Sequence, residues 1–436
     1  MTSEWTFAPL EQCLDALIDY RGKTPEKTSS GIPLITAKII KGGRVGKPTE
    51  FIATANYDSW MRRGIPKPGD VVLTVEAPLG EVAQLGPEKI ALAQRVVTLR
   101  GKEGVLDNSY LLYLLQTEEM QEQLKSRATG TTVLGIKQSE LRKVQLSLPP
   151  INQQKVAAQT LKALDDRIAL LRETNTTLQA IAQALFKSWF VDFDPVHAKA
   201  EGLEPEGIDA ATAELFPDGF EESELGLVPR GWSFGTLADL ANLNPESWTA
   251  RNRPEIVAYI DLANAKENVI AEITKYPFED APSRARRVLR DGDTIVGTVR
   301  PGNRSFAFIA KADANLTAST GFAVLRPTHV EGTEFVYLSA TSDASIDYLT
   351  HIADGGAYPA VRPDVVSSLK SILPDSNVLR VFHDTAAPIF KKIAGNQQQA
   401  EALTQLRDTL LPRLISGQLR LPEAETTIEN LLSEAV

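Results

Sequence analysis

The sequence predicts an α+β fold: two similar mixed α/β domains joined by two long coiled-coil helices, with an internal repeat. Three observations predict it. The first is a heptad seam over residues 151–189, in which Ala157, Leu161, Leu164, Ile168, Leu171, Asn175, Leu178, Ala182, Leu185 and Trp189 follow at alternating steps of four and three. The second is that adding 225 to each position gives another seam, Phe382, Ala386, Ile389, Ile393, Asn396, Ala400, Leu403, Arg407, Leu410 and Leu414. The third is that the strand and turn signals before the first seam recur in the same order before the second.

The first helix is expected to start after Pro149-Pro150, since proline suits a helix start better than its interior. About forty residues at 1.5 Å rise make a rod of roughly 60 Å, and so narrow a stripe on so long a rod calls for a partner helix. Leu148-Pro149 maps onto Leu373-Pro374 under the same offset, which carries the repeat across the helix start.

Residues 1–150 form the first predicted domain. Lys67-Pro68-Gly69-Asp70 is a turn leading into the strand Val71-Val72-Leu73-Thr74-Val75, Val96–Leu99 is another strand, and Ser109 to Lys125 has helical periodicity. A small polar loop, Thr129-Gly130-Thr131-Thr132, follows. Residues 151–195 are the first coiled-coil helix. Residues 196–228 hold nine acidic residues and one lysine, with Pro205 and Pro217 and little periodicity; they read as a linker wrapping the surface. Residues 229–374 repeat the first layout: Asp291-Gly292-Asp293-Thr294-Ile295-Val296 echoes the turn and strand, Phe322–Arg326 the second strand, Phe335–Leu349 the helix and Gly355-Gly356-Ala357-Tyr358 the loop. Residues 375–436 are the second coiled-coil helix and a C-terminal tail.

Composition is that of an ordinary soluble globular protein of two or three domains, at 436 residues, 43% hydrophobic and 23% charged. The single cysteine, Cys13, excludes an intrachain disulfide and fits a reducing, cytoplasmic setting. No signal peptide and no membrane-spanning run are read in the sequence. The net charge of -10 argues at first against nucleic acid, yet the acidic stretches 196–228 and 423–436 account for it, and the remainder is weakly positive.

The sequence carries little that points to catalysis. The four histidines, His197, His329, His351 and His383, lack metal-ligand spacing. Residues 130–137 miss a phosphate loop because the lysine is one residue late and no Ser or Thr follows it. Leu148-Pro149-Pro150-Ile151 lacks the polar and aromatic ends of an amino-methyltransferase motif, and no Pro-Asp is followed by Asp/Glu-x-Lys as a metal nuclease needs. The chain reads as non-catalytic, with no metal site. What remains are basic and small polar residues in both domains: Lys38, Lys41, Arg44, Lys47, Arg62, Arg63, Lys67, Thr131 and Thr132 in the first, and Arg284, Arg286, Arg287, Arg290, Arg300, Asn303, Arg304 and Tyr358 in the second. Lys and Arg supply phosphate contacts, and Arg and Asn also read base edges, so these are the candidate DNA-binding residues against the alternative of a solvated face.

Two stretches carry a resemblance. Ala163-Leu164-Asp165-Asp166-Arg167-Ile168 followed by Gln183-Ala184-Leu185-Phe186-Lys187-Ser188-Trp189-Phe190-Val191-Asp192-Phe193-Asp194-Pro195-Val196 resembles the central conserved region of specificity (S) subunits of type I restriction–modification systems. Leu410-Leu411-Pro412-Arg413-Leu414-Ile415-Ser416-Gly417-Gln418-Leu419 resembles their distal conserved region. The resemblance implies two target recognition domains, each reading one half of a bipartite site in double-stranded DNA. It implies long helices that pack antiparallel and set the gap. It also implies two methylation subunits bringing S-adenosylmethionine, and restriction subunits adding ATP- and Mg2+-dependent translocation and cleavage; no cofactor is expected on this chain. The open alternatives are a coiled-coil scaffold whose globular ends bind proteins, and a fused enzyme with a degenerate methyl-donor site. If the helices lie antiparallel about an axis near position 173, residue x faces residue 571 − x, and the two polar seam residues Asn175 and Asn396 face each other.

Overall fold

The computed structural model describes residues 5–419 except 23, 224 and 225. The expected tail from residue 420 onward lies outside the described residues. The chain divides into two compact units, one of residues up to 170 with those from 399 onward, the other of residues 171–398. Each contains one α/β module and one stretch of each long helix. Among the described residues no helix is long and apolar enough to cross a membrane.

In the first unit an antiparallel sheet runs in the order Leu14–Asp19, Val96–Gly101, Val71–Val75, Leu79–Gln84. Val71–Val75 is buried at every position, which is why its apolar residues do not alternate with exposed ones. A second sheet sets Ile32–Ile35 between Phe51–Ile52, antiparallel, and Ala91–Leu92, parallel. Thr6–Pro9 pairs with Gln145–Leu148 and closes the module just before the helix.

The second unit repeats this order. Its first sheet is Ala241–Leu243, Phe322–Pro327, Thr294–Gly297, Phe306–Phe308, and Ser233–Thr236 pairs with Lys370–Leu373. Its second sheet is Thr274–Pro277, Ile256–Ile260, Leu316–Ser319, Ala285–Val288. The last of these strands has no counterpart in the first module's three-stranded sheet.

Both modules are pinned by the same buried ion pair. Arg100 grips Asp70 through Nε and Nη2 at 2.8 and 2.7 Å, and Arg326 grips Asp293 through the same atoms at 2.8 Å each. Asp70 and Asp293 are buried, so the bidentate guanidinium offsets the cost of desolvating each carboxylate. The turns Gly69-Asp70 and Gly292-Asp293 place them, with both glycines left-handed at φ 84° and 81°.

The central helix spans Ile151–Phe190 and the distal helix Ser376–Ile415. In the first unit the seam residues Leu161, Leu164, Ile168, Leu403, Leu410 and Leu414 are buried. The module is tied to the helices there by polar bonds. Gln154 accepts from the Asp107 amide and donates to the Val105 and Pro149 carbonyls, Tyr110 donates to the Ile415 carbonyl, and Asp165 takes both Arg407 and the Tyr113 hydroxyl at 2.8 Å.

In the second unit Leu171, Trp189, Phe382 and Ile393 are buried, with Leu178, Leu185 and Ile389 half-buried. Asn396 donates to Asn175 Oδ1 at 2.8 Å, and Asn175 donates to the Ile393 carbonyl at 3.0 Å. Asn175 thus meets Asn396 while Phe190 meets Phe382, ring centroids 4.9 Å apart, so the helices run in opposite directions in this unit. Neither amide is left unpaired in the apolar seam.

The expected surface linker at 196–228 is corrected: its described residues are folded into the second unit. Asp194–Ala200 and Ala210–Leu215 are helices, and Phe220–Ser223 pairs with Gly226–Pro229. Val196, Phe216 and Val228 are buried in an aromatic core with Trp189, Phe190, Trp232, Phe335 and Phe382. Isolated anchors so far apart leave no periodic trace in sequence, while the carboxylates between them face water.

The asparagine pair has a testable energetic signature. Asn396→Ala strips Asn175 Oδ1 of its donor and should cost about 1–3 kcal/mol. Replacing both asparagines with leucine should recover most of that loss. Urea unfolding of the two variants checks it; a double variant as unstable as the single one would count against a buried pair.

Candidate nucleic-acid interface

The basic residues of the first module do not form one group. Lys41 and Arg44 flank a tight turn at Gly42-Gly43, both left-handed at φ 57° and 81°. There the Arg44 guanidinium donates to the Asp165 carbonyl of the central helix, which makes it a tether rather than a free cation. Lys38, Lys41, Lys47, Arg62 and Lys67 are exposed and have no ion-pair partner among the described residues. Arg63 is exposed but donates to the carbonyls of Asp19 and Arg21, at 3.1 and 2.7 Å.

Arg63 thereby joins a group that sequence reasoning missed. Arg21 pairs with Asp19 at 2.7 Å and donates to the Ile136 carbonyl at 2.6 Å. Arg21, Arg63, Asp19, Leu17 and Gln138 line a cleft of about 480 Å³. Beside it the loop Thr129–Gly135 is closed by reciprocal backbone bonds of 2.8 and 2.9 Å, leaving Thr131, Thr132, Val133 and Leu134 exposed. Gly135 bridges to Glu76, whose carboxylate lies 4.0 Å from Arg95. Arg21, Arg63 and Arg95 lie far apart in sequence, so no local cluster announces this end of the module.

In the second module three of the six expected cations, Arg284, Arg290 and Arg304, are answered by carboxylates. Arg284 pairs with Asp261 at 3.0 Å and donates to the Tyr259 hydroxyl. Arg290 pairs with Glu246 at 2.8 Å and is the main influence holding that carboxyl below its usual range. Arg304 bridges Glu267 at 3.0 Å and Asp343 at 2.7 Å. Arg287 is half-buried, donates to the Ser247 hydroxyl, and has its pKa pulled down by burial. These four are tied to other groups of the module. Arg286 and Arg287 also sit on the strand Ala285–Val288 that the first module lacks, so the two basic runs are not equivalents. Arg286 lies over the Phe278 ring at 4.9 Å, and Asn303 is exposed.

Arg300 differs from its neighbours. Its guanidinium lies 4.5 Å over the Tyr358 ring and donates to the Ala357 carbonyl at 2.7 Å. Tyr358 is 69% exposed, on a loop closed by reciprocal bonds between Asp354 and Ala360. This loop matches Thr129–Gly135 of the first module. Each closes on itself, and each bridges to the residue just before an X-Pro step: Glu76 before Ala77-Pro78, Val299 before Arg300-Pro301. Ala77 and Arg300 are both left-handed, at φ 49° and 48°. The same site is built twice with different side chains.

The family model for the type I restriction modification DNA specificity domain matches residues 10–180. The MjaIX type I restriction enzyme specificity subunit of Methanocaldococcus jannaschii is 27% identical over 410 residues, covering 92% of this chain and 90% of the relative. Over most of its length the chain is similar to the specificity (S) subunits of type I restriction–modification systems. The HindI specificity subunit of Haemophilus influenzae is 25% identical over 379 residues, 76% of this chain and 82% of the relative. The crystal structure of an S subunit from M. genitalium shares the fold, with a TM-score of 0.57 at 17% identity over 95% of this chain and 96% of that one. An S subunit is the non-catalytic, sequence-specifying component of its complex. Among the described residues no group of three or more His, Cys, Asp or Glu is placed to hold a metal ion.

Proposed function

We propose that the two modules are target recognition domains, each reading one half of a bipartite, asymmetric DNA site, and that the paired helices set the spacing between the halves. Two methylation subunits dock on the helices and supply the S-adenosylmethionine chemistry. Restriction subunits add ATP- and Mg2+-dependent translocation and cleavage through the same complex. The observation that carries this reading is the twice-built loop site. One strand order supports both loops, yet the first presents Thr131, Thr132, Val133 and Leu134, and the second Tyr358 and Arg300. Shared scaffolds with different side chains at the same position suit two readers of different sequences.

Methylome sequencing of cells carrying this chain with its methylation subunit tests it. The modified motif should be bipartite and asymmetric, and exchanging residues 229–374 for another module should change one half alone. A palindromic motif, or a change in both halves, would refute the division of labour. A chain that retains no DNA sequence-specifically would instead be a protein-binding scaffold.

Inserting one heptad after Leu171 and another after Asn396 should lengthen the helical pair by about 10 Å. The gap between half-sites should then grow by at most about three base pairs, at 3.4 Å each. An active variant with an unchanged gap would show that the helices are not the ruler.

Lys38, Lys41 and Lys47 serve as phosphate ligands in this reading. Replacing all three with alanine should make the plot of log affinity against log salt shallower by about 0.9 for each phosphate that is no longer neutralised. An unchanged slope would mark this as a merely solvated face.

A further inference from the structure

We propose that Arg300 reads a guanine in the half-site bound by the second module, with Tyr358 and its loop holding the guanidinium in reading position. The inference rests on the DNA-reading role proposed above.

Three observations single out this residue. No carboxylate answers its charge: Arg253, Arg284, Arg290, Arg304 and Arg326 each face one, while Arg300, like Arg286 and Arg287, faces none among the described residues. Its position is fixed from several sides. The Arg300 amide donates to the Pro359 carbonyl at 2.7 Å, Nη2 donates to the Ala357 carbonyl at 2.7 Å, and the Tyr358 ring backs the guanidinium at 4.5 Å. Its backbone is left-handed, φ 48° and ψ 63°, a conformation that penalises any residue with a Cβ. Glycine would relax that penalty, so the position carries an arginine at a conformational cost.

The chemistry of such a group favours a base edge. A guanidinium is a planar fork of donors, and guanine presents N7 and O6 side by side in the major groove to receive two of them. An aromatic backing and a tied Nη2 remove most of the freedom the side chain would otherwise lose on binding. A phosphate needs no such preparation and is served as well by a mobile lysine. In the first module Ala77 occupies the equivalent backbone position and offers no fork, so the two half-sites should differ at this base.

The test uses the full chain with its methylation subunit and reads the methylome. In the wild type, the half that changes when residues 229–374 are exchanged should contain a G·C pair. Arg300→Ala should relax that one position, with the preference falling roughly 5- to 150-fold and the other positions kept. Arg300→Lys keeps the charge but not the fork and should relax the same position. Tyr358→Ala should loosen it less. Melting temperatures close to the wild type show that the variants fold. The inference is overturned if the half contains no G·C pair, if Arg300→Lys keeps full specificity, or if Arg300→Ala leaves every position unchanged. It is overturned too if affinity falls equally on all sequences while the salt slope drops by about 0.9, the mark of a phosphate ligand; the DNA-reading role would then survive. A wild-type chain that directs no motif would sink that role and this inference with it.

Discussion

The narrow apolar stripe on two forty-residue helices is the constraint on which the rest depends. Neither helix can bury such a stripe alone, and each covers the other's seam. The stripe is also wider than a heptad seam at places where a module sits on it. Ala158 in the first unit, and Phe186, Phe190 and Phe390 in the second, are buried although they lie off the seam. The helices therefore form the base of each module's core as well as pairing with each other.

The two modules are docked by different chemistry. In the first unit Tyr113 donates to Asp165, which Arg407 neutralises. The repeat places Phe390 and Ala182 at the positions of Asp165 and Arg407. In the second unit Tyr337 accordingly packs on Phe390 and Phe308, at 5.3 and 5.6 Å, and its hydroxyl takes a bond from Gln179. A charged lock in one place and an aromatic one in the other make each module specific for its own end of the helices. Two modules of one fold are kept apart by such a distinction, because equal docking sites would allow either module at either end.

The tip of a small hairpin reaches the helices in both units. Gly42-Gly43 turns the first, letting Arg44 reach the central helix. Glu267-Asn268 turns the second in the same left-handed conformation, and Asn268 bonds to Gln179 and receives Gln397 at its carbonyl. Glycines take that turn without strain, whereas Asn268 takes it because its side chain is also bonded to the Phe308 amide.

Much of this is legible in the residues themselves. Heptad spacing is a local property, so the seam, the offset of 225 and the meeting of Asn175 with Asn396 can be read without any structure. The echoed turns Gly69-Asp70 and Gly292-Asp293 likewise mark the same buried pair twice. The acidic segment reads as a linker because its order rests on single anchors such as Phe216, which sets its ring against Trp189 at 5.0 Å from a quite different part of the chain. The candidate DNA-binding residues are legible as cations and not as contacts. Arg290 is neutralised by Glu246, forty-four residues away, and Arg63 is drawn to the carbonyls of Asp19 and Arg21. Period belongs to neighbours along the chain and can be counted there. Whether a charge is spent on the fold or left for a ligand depends on groups that only the folded chain brings within reach, so only the tertiary structure separates Arg300 from the arginines around it.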